Sequence, residues 1–331
     1  ATANAAMESE SMSSTFSSGV TSEYPAAGSA FSGSLSNLIS EANEGWMPEG
    51  TPSIAQQTLI QAEAVLLPTS IATSPTMYGH GAALQQLKDW FSEVAGSEDG
   101  GGYVIGIWGL EGVGKKLLIK TALSQVAEYF EGIVWCSLRD APTLDDLSVA
   151  ILSSLGVVPQ AGQNRSQLMA VLSNRQVVLV FEGVEAILQG DSLSGDYRPE
   201  RRNYSDFFQT LMNSRSCAVL SGIEGPATVI RQASDSEQQR VRSLFLTRID
   251  NDAAIALLQA ESLQTAEHWP ALVERYQGHP LALKSVARII REMFNGRVDA
   301  FLAQPSVLFQ DIARLIAPSF ERLSVSETNI L

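Results

Sequence analysis

Gly109-Leu-Glu-Gly-Val-Gly-Lys115 is the stretch of the chain whose residue types and spacing come nearest to a chemical task. Glycines at 109, 112 and 114 let the backbone turn its N–H groups inward toward phosphate oxygens, with Val113 between the last two. A helix opening at this point adds about half a positive charge, and Lys115 would reach the outer phosphates. The next position should carry a hydroxyl for a magnesium ion, but it is Lys116, followed by Leu117. An ammonium cannot ligate a metal, and a lysine in the first helical turn opposes the helix dipole. Lys116 therefore either points to solvent or supplies the metal's charge beside a bound phosphate.

A second defect lies downstream. The apolar run Val177-Val-Leu-Val-Phe181 should end in an aspartate holding magnesium through water, commonly followed by another acid or an asparagine; here Glu182-Gly183 follows. The extra methylene of Glu182 displaces a geometry that demands octahedral bonds of about 2.0–2.1 Å. Metal-assisted hydrolysis is compromised at both places. His268 and His279 have no acid or cysteine at ligand spacing and read as surface or hinge residues. Cys136 and Cys217 lie in apolar runs, 81 positions apart, and read as buried thiols in a reducing compartment.

These residues need elements to hold them. Tyr103–Trp108 leads as a strand into the glycine loop, and a helix runs from the loop to Phe130. Further strands are expected at Ile133–Leu138, Val177–Phe181, Cys217–Ser221 and Ser243–Thr247. Between them, Thr143 and Asp146 make a capping box for a helix carrying Leu144, Leu147, Ile151 and Leu155. Gly190–Asn203 reads as a surface insertion whose Arg198–Arg202 stretch is a solvated loop, and Tyr204–Met212 as an amphipathic helix. Leu84, Leu87, Phe91 and Val94 form a helical stripe ended by Gly96–Gly102. Short apolar strands alternating with helices predict an α/β fold with a parallel sheet covered on both faces. After Asn251, a good N-cap, the pattern is helical: Ala253–Ser262, Trp269–Gln277, Leu281–Phe294 and Leu308–Ile316.

Composition limits the function. With 331 residues, 45% of them hydrophobic, the chain is too large for one small domain and apolar enough to fold over most of its length. Residues 1–75 hold seven Glu and no Lys or Arg, with twelve Ser in the first forty, and read as a disordered acidic tail in which only Ile54–Leu67 suits a helix. The net charge of −14 repels nucleic acid and anionic membranes. No apolar run is long enough to span a bilayer, and the first residues lack a secretory pattern, so the expected site is the cytoplasm.

Gly109–Lys115, Val177–Gly183 and Gly278-His-Pro-Leu-Ala-Leu283 together resemble the NB-ARC family of STAND signalling NTPases, nearest to bacterial members with WD40 repeats. Ile133–Pro142, Val184–Leu188 and Phe320–Ser324 are similar to segments of those members, and Tyr78-Gly79-His80 resembles the family's opening motif. The resemblance implies a P-loop NTPase domain followed by a small all-α domain, which clamp ADP or ATP and switch with its exchange and hydrolysis. It divides the chain into a tail (1–75), a nucleotide-binding domain (76–248), a helical domain (249–317) and the start of a truncated winged-helix region (318–331). By position, Gly109, Gly112, Val113, Gly114, Lys115, Lys116 and Leu117 would line the phosphates, the Tyr78–His80 backbone would approach adenine, and Pro280 would close over the nucleotide. Glu182 would be a degenerate catalytic acid, His80 replaces an expected arginine, and Ile223 replaces a phosphate-sensing arginine. With three positions altered, the expected function is a nucleotide-binding switch with weak or no hydrolysis, holding ADP or ATP with or without magnesium. Its partners would be proteins, through self-association or a separate sensor or effector. A scaffold with an empty loop and an active ATPase with a remodelled metal site are the alternatives.

Overall fold

The computed structural model describes residues 62–65, 76–97, 101–190, 195–234 and 240–303. The expectations for the rest of 1–75, for a helix at Leu308–Ile316 and for 318–331 lie outside these residues.

Among the described residues, six strands make one sheet: β1 (Ala62–Val65), β2 (Tyr103–Trp108), β3 (Gly132–Ser137), β4 (Val177–Glu182), β5 (Cys217–Gly222) and β6 (Val241–Phe245), in the order β1-β3-β4-β5-β2-β6. Strands β2 to β6 are parallel, and β1 joins the β3 edge antiparallel, with Ala62 opposite Cys136 and Val65 opposite Ile133. The helix suggested for Ile54–Leu67 is corrected at Ala62–Val65, which is extended. Alanine and glutamate favour a helix locally, but pairing along an open sheet edge overrides so short a preference.

The apolar runs are strands because both faces are covered, so neither face needs polar residues. Helices α1 (Gly81–Ala95) and α2 (Lys115–Val126) cover one face, where Leu87, Phe91, Leu118 and Leu123 meet Ile105, Ile107, Val178 and Val219. Helices α3 (Leu144–Ser154), α4 (Asn164–Asn174), α5 (Asn203–Leu211) and α6 (Ala227–Ser234) cover the other, against Val104, Trp108, Leu179, Phe181 and Leu220. Odd and even positions of β2 to β5 go to opposite cores, as a pleat of period two requires. Phe181 anchors the second core, edge-on to Phe207 and Phe208 at centroid distances of 6.3 and 5.6 Å. Cys136 and Cys217 are free thiols at 1% and 0% exposure, and burial pushes both thiol pKa values far up.

The Thr143 cap forms as expected, its hydroxyl accepting from the Asp146 N–H at 3.2 Å. The insertion differs from the expected solvated loop. Arg198 Nε donates to Leu188 O at 3.0 Å, and the Arg201 guanidinium grips Ala141 O at 2.9 and 2.6 Å. These arginines satisfy loop carbonyls that no strand or helix reaches.

After β6 the described residues are mainly helical: α7 (Asn251–Ala260), α8 (Trp269–Arg275), α9 (Pro280–Phe294) and α10 (Val298–Leu302). They pack around Leu257, Leu272, Leu283, Val286 and Ile290, with Tyr78 against the same cluster. The cap of α7 is Asp250 rather than Asn251; its carboxylate accepts from the Ala253 N–H at 2.8 Å. Asp250 has the extended backbone a cap needs, whereas Asn251 is already helical.

Candidate functional site

The glycine loop lies between the carboxyl end of β2 and the start of α2, the place where open α/β sheets bind ligands. Its root is fixed by the Gly109 N–H donating to Gly222 O at 3.2 Å and the Leu246 N–H donating to Trp108 O at 2.8 Å. Gly112 and Gly114 have φ of +79° and +113°, a region that side chains rarely adopt, and Gly114 caps α2. Val113 is buried and anchors the loop from below, while Leu117 is half-buried one turn on. Lys115 folds over the loop, its Nζ donating to Gly109 O at 2.6 Å and Leu110 O at 2.9 Å. Burial lowers its pKa, Glu185, Glu111 and Glu182 work to raise it, and Arg139 adds to the lowering.

Lys116 is exposed, its side chain 59% accessible, yet its ammonium has partners. Its Nζ is 2.8 Å from Glu182 Oε2 and 5.6 Å from the centroid of the Trp135 ring, over which Lys120 also lies at 5.7 Å. The two departures from the expected metal site are thus one contact: the ammonium on the first turn of α2 neutralises the carboxylate at the end of β4. This pair resolves the placement of a lysine at a helix start, since Glu182 supplies the anion that the dipole argument calls for. The donor set does not suit magnesium, because the carboxylate faces an ammonium where a hydroxyl is needed. Among the described residues, no group of three or more His, Cys, Asp and Glu is arranged to hold a metal ion.

Two histidines hold the loop from outside. His80, the residue before α1, lies with its Nε2 3.0 Å from Val113 O. His279, half-buried before α9, accepts the Ala282 N–H on Nδ1 at 3.2 Å, so its proton sits on Nε2, which donates to Glu111 O at 3.0 Å. Gly79 packs on Ile249, and Leu281 and His279 pack on Gly112. Pro280, the first residue of α9, therefore sits one residue from the loop contact on either side, where closure over a ligand was expected. At position 223, isoleucine carries no charge, but its N–H donates to Glu185 Oε2 at 3.1 Å.

The structure brings the loop, Lys116, Glu182, His80 and the α9 start together. Glu111, Arg139 and Glu185 join them unannounced, although each lies inside a motif already singled out. Arg139 Nη2 is 3.2 Å from Glu111 Oε1 across the mouth of the loop.

His279 gives a pH-dependent contribution to stability. Burial lowers its pKa from about 6.5, and the Lys115 charge adds to this while the bond to Glu111 O opposes it. The folded state then binds fewer protons than the unfolded one, so the contribution is whole above about pH 6.5 and is lost as pH falls toward the lowered folded value. Melting temperature is expected to drop as pH falls below about 6.5, and to drop less in His279→Asn, which caps without titrating. Equal slopes in the two proteins would contradict this.

Residues 81–234 match the family model of the NB-ARC domain. An uncharacterised WD repeat-containing protein of Nostoc sp. strain PCC 7120 is 31% identical over 278 residues, 77% of this chain and 21% of that protein. The chain thus spans about a fifth of the relative's length. Among solved structures, the Aeropyrum pernix ORC2 protein is similar at 14% identity with a TM-score of 0.47, over 75% of this chain and 71% of that one. Cdc6p of Pyrobaculum aerophilum is similar at 15% identity and a TM-score of 0.42, over 58% and 52%. Among the described residues, no helix is long and apolar enough to cross a membrane. The loop geometry and the family match agree, and the segment 81–234 is an NB-ARC domain, a nucleotide-binding module of the P-loop NTPase type.

Proposed function

We propose that this chain is a nucleotide switch that has kept the cradle and given up the chemistry: it holds ADP or ATP without magnesium, hydrolyses it weakly or not at all, and acts through protein contacts. The observation that carries the reading is the Lys116–Glu182 pair at 2.8 Å, which puts an ammonium where a metal-binding hydroxyl is needed and engages the strand-end carboxylate that would otherwise help to hold magnesium. Glycine-loop N–H groups and Lys115 would hold the phosphates, and the Tyr78–His80 backbone would face the base. The helices after β6 would respond, because His279 and Leu281 touch the loop directly.

Protein partners fit the same reading: the relative carries WD repeats, and the chain's net charge of −14 disfavours nucleic acid and anionic membranes. Two buried free thiols suit a reducing compartment, the cytoplasm. An empty-loop scaffold is the competing reading, favoured by Lys115 being satisfied by its own loop carbonyls.

Denaturing the purified protein and separating what it releases by chromatography distinguishes the two. The switch reading expects ADP or ATP in amounts approaching one per chain, and rebinding to the stripped protein that EDTA does not weaken. Absence of nucleotide together with no rebinding would leave the scaffold.

A further inference from the structure

One cation at the mouth of the loop, Arg139, comes from a part of the chain outside the loop and its helix. β3 ends at Ser137, and a tight turn follows in which the Ala141 N–H donates to Leu138 O at 2.8 Å, with Ala141 at φ +44°. Arg201 holds that turn by its two bonds to Ala141 O. Leu138 is buried, and its N–H donates to Glu182 O at 2.8 Å. Arg139 is therefore presented from a braced turn rather than from a loose loop.

Its stem crosses the end of β4. A Cβ at Gly183 would lie 3.0 Å from Arg139 Cγ, and Gly183 has φ +76°. The glycine at that position leaves room for the arginine to reach across. Beyond Gly183, the guanidinium meets Glu111, a carboxylate carried by the loop itself. Side-chain exposures of 70% and 42% make this an open ion pair, worth little on its own and readily exchanged. Lys115, the lysine that would hold phosphate, is close enough for the Arg139 charge to act on it. A planar guanidinium with several donors suits phosphate oxygens better than it suits the single carboxylate contact seen here.

We propose that Arg139 is a terminal-phosphate contact, which leaves Glu111 for the third phosphate of a nucleoside triphosphate and so makes the loop distinguish ATP from ADP. The inference rests on the nucleotide-binding reading above. It gives the mouth of the loop a charge that the uncharged Ile223 does not provide. Glu111 acts as the competing anion: it occupies the guanidinium when a diphosphate leaves the outer position open.

The test is calorimetric titration of the nucleotide-stripped full chain with ATP and with ADP, in EDTA, for wild type, Arg139→Ala and Glu111→Gln. The quantity read is the ratio of ATP to ADP affinity. It is expected to fall about 10- to 100-fold in Arg139→Ala, the scale of a charged hydrogen bond, and to rise in Glu111→Gln, where the competitor has lost its charge. Arg139→Gln keeps the stem over Gly183 and removes the charge, so it should fall with Arg139→Ala even if truncation disturbs the turn. A ratio that stays at the wild-type value in the Arg139 variants, or moves the same way in all variants, overturns the inference while leaving nucleotide binding intact. No binding of either nucleotide by the wild type overturns the nucleotide-binding reading, and this inference with it.

Discussion

Phosphate release from ATP by the purified chain, with magnesium present, is expected to match that of Lys115→Ala, a variant that cannot grip the phosphates. Three supports of the reaction are altered: the hydroxyl position is Lys116, the strand-end acid is Glu182 paired to that lysine at 2.8 Å, and position 223 is an uncharged isoleucine. A single preorganised donor is typically worth about 10² to 10³ in rate, so losing more than one removes most of what such a site supplies. The Lys116–Glu182 contact also sets the order of repair. Lys116→Thr alone leaves Glu182 without its ammonium, and Glu182→Asp alone shortens the carboxylate away from it. Only the double change offers magnesium a hydroxyl and a correctly placed acid together, and it should make nucleotide binding magnesium-dependent. Turnover by the wild type that needs magnesium and disappears in Lys115→Ala would show that the remodelled site works.

The largest mechanical effect is expected at Gly112. Its φ of +79° is one that a branched side chain adopts only under strain, at a cost of about 1–3 kcal/mol. A Cβ there would also stand 2.5 Å from Leu281 Cδ2, 2.6 Å from Leu281 Cβ and 3.1 Å from His279 Cε1. Leu281 Cβ is tied directly to the backbone at the start of α9 and cannot give way as the Cδ2 tip can, so overpacking adds about another 1–3 kcal/mol. Gly112→Val is expected to lose nucleotide binding and to push the later helices away from the loop, exposing the connection near Arg248 to protease. Urea denaturation and limited proteolysis read both effects. A variant with the wild-type midpoint and cleavage pattern would mean that the helices do not bear on the loop.

Much of the sheet could be read from sequence because buried parallel strands announce themselves: Val177–Phe181 and Cys217–Ser221 are apolar runs of strand length, and the strands occur there. Elements whose formation depends on distant partners were harder to read. Helix α4 presents only Asn164, Leu168 and Leu172 as fully buried positions, too thin a stripe to stand out from its polar neighbours. Strand β1 exists through its pairing with β3. At the site, the loop was legible because glycine spacing is a local property. The Lys116–Glu182 contact joins positions 66 residues apart, so sequence reported two separate faults where the fold has a single ion pair. Arg139 and Glu111, 28 residues apart, were hidden for the same reason.

The burial of Cys136 and Cys217 has a practical consequence. Thiol-reactive labels attack the thiolate, and burial suppresses both its formation and its access at these two positions, the only cysteines in the sequence. The natural chain can thus serve as its own silent background for site-directed labelling. Cysteines introduced at Val158, 82% exposed beside the sheet domain, and at Met293, 67% exposed on α9, would take a donor and acceptor dye without removing any native thiol. The distance between those dyes would report in real time whether the later helices move as nucleotide is added or withdrawn.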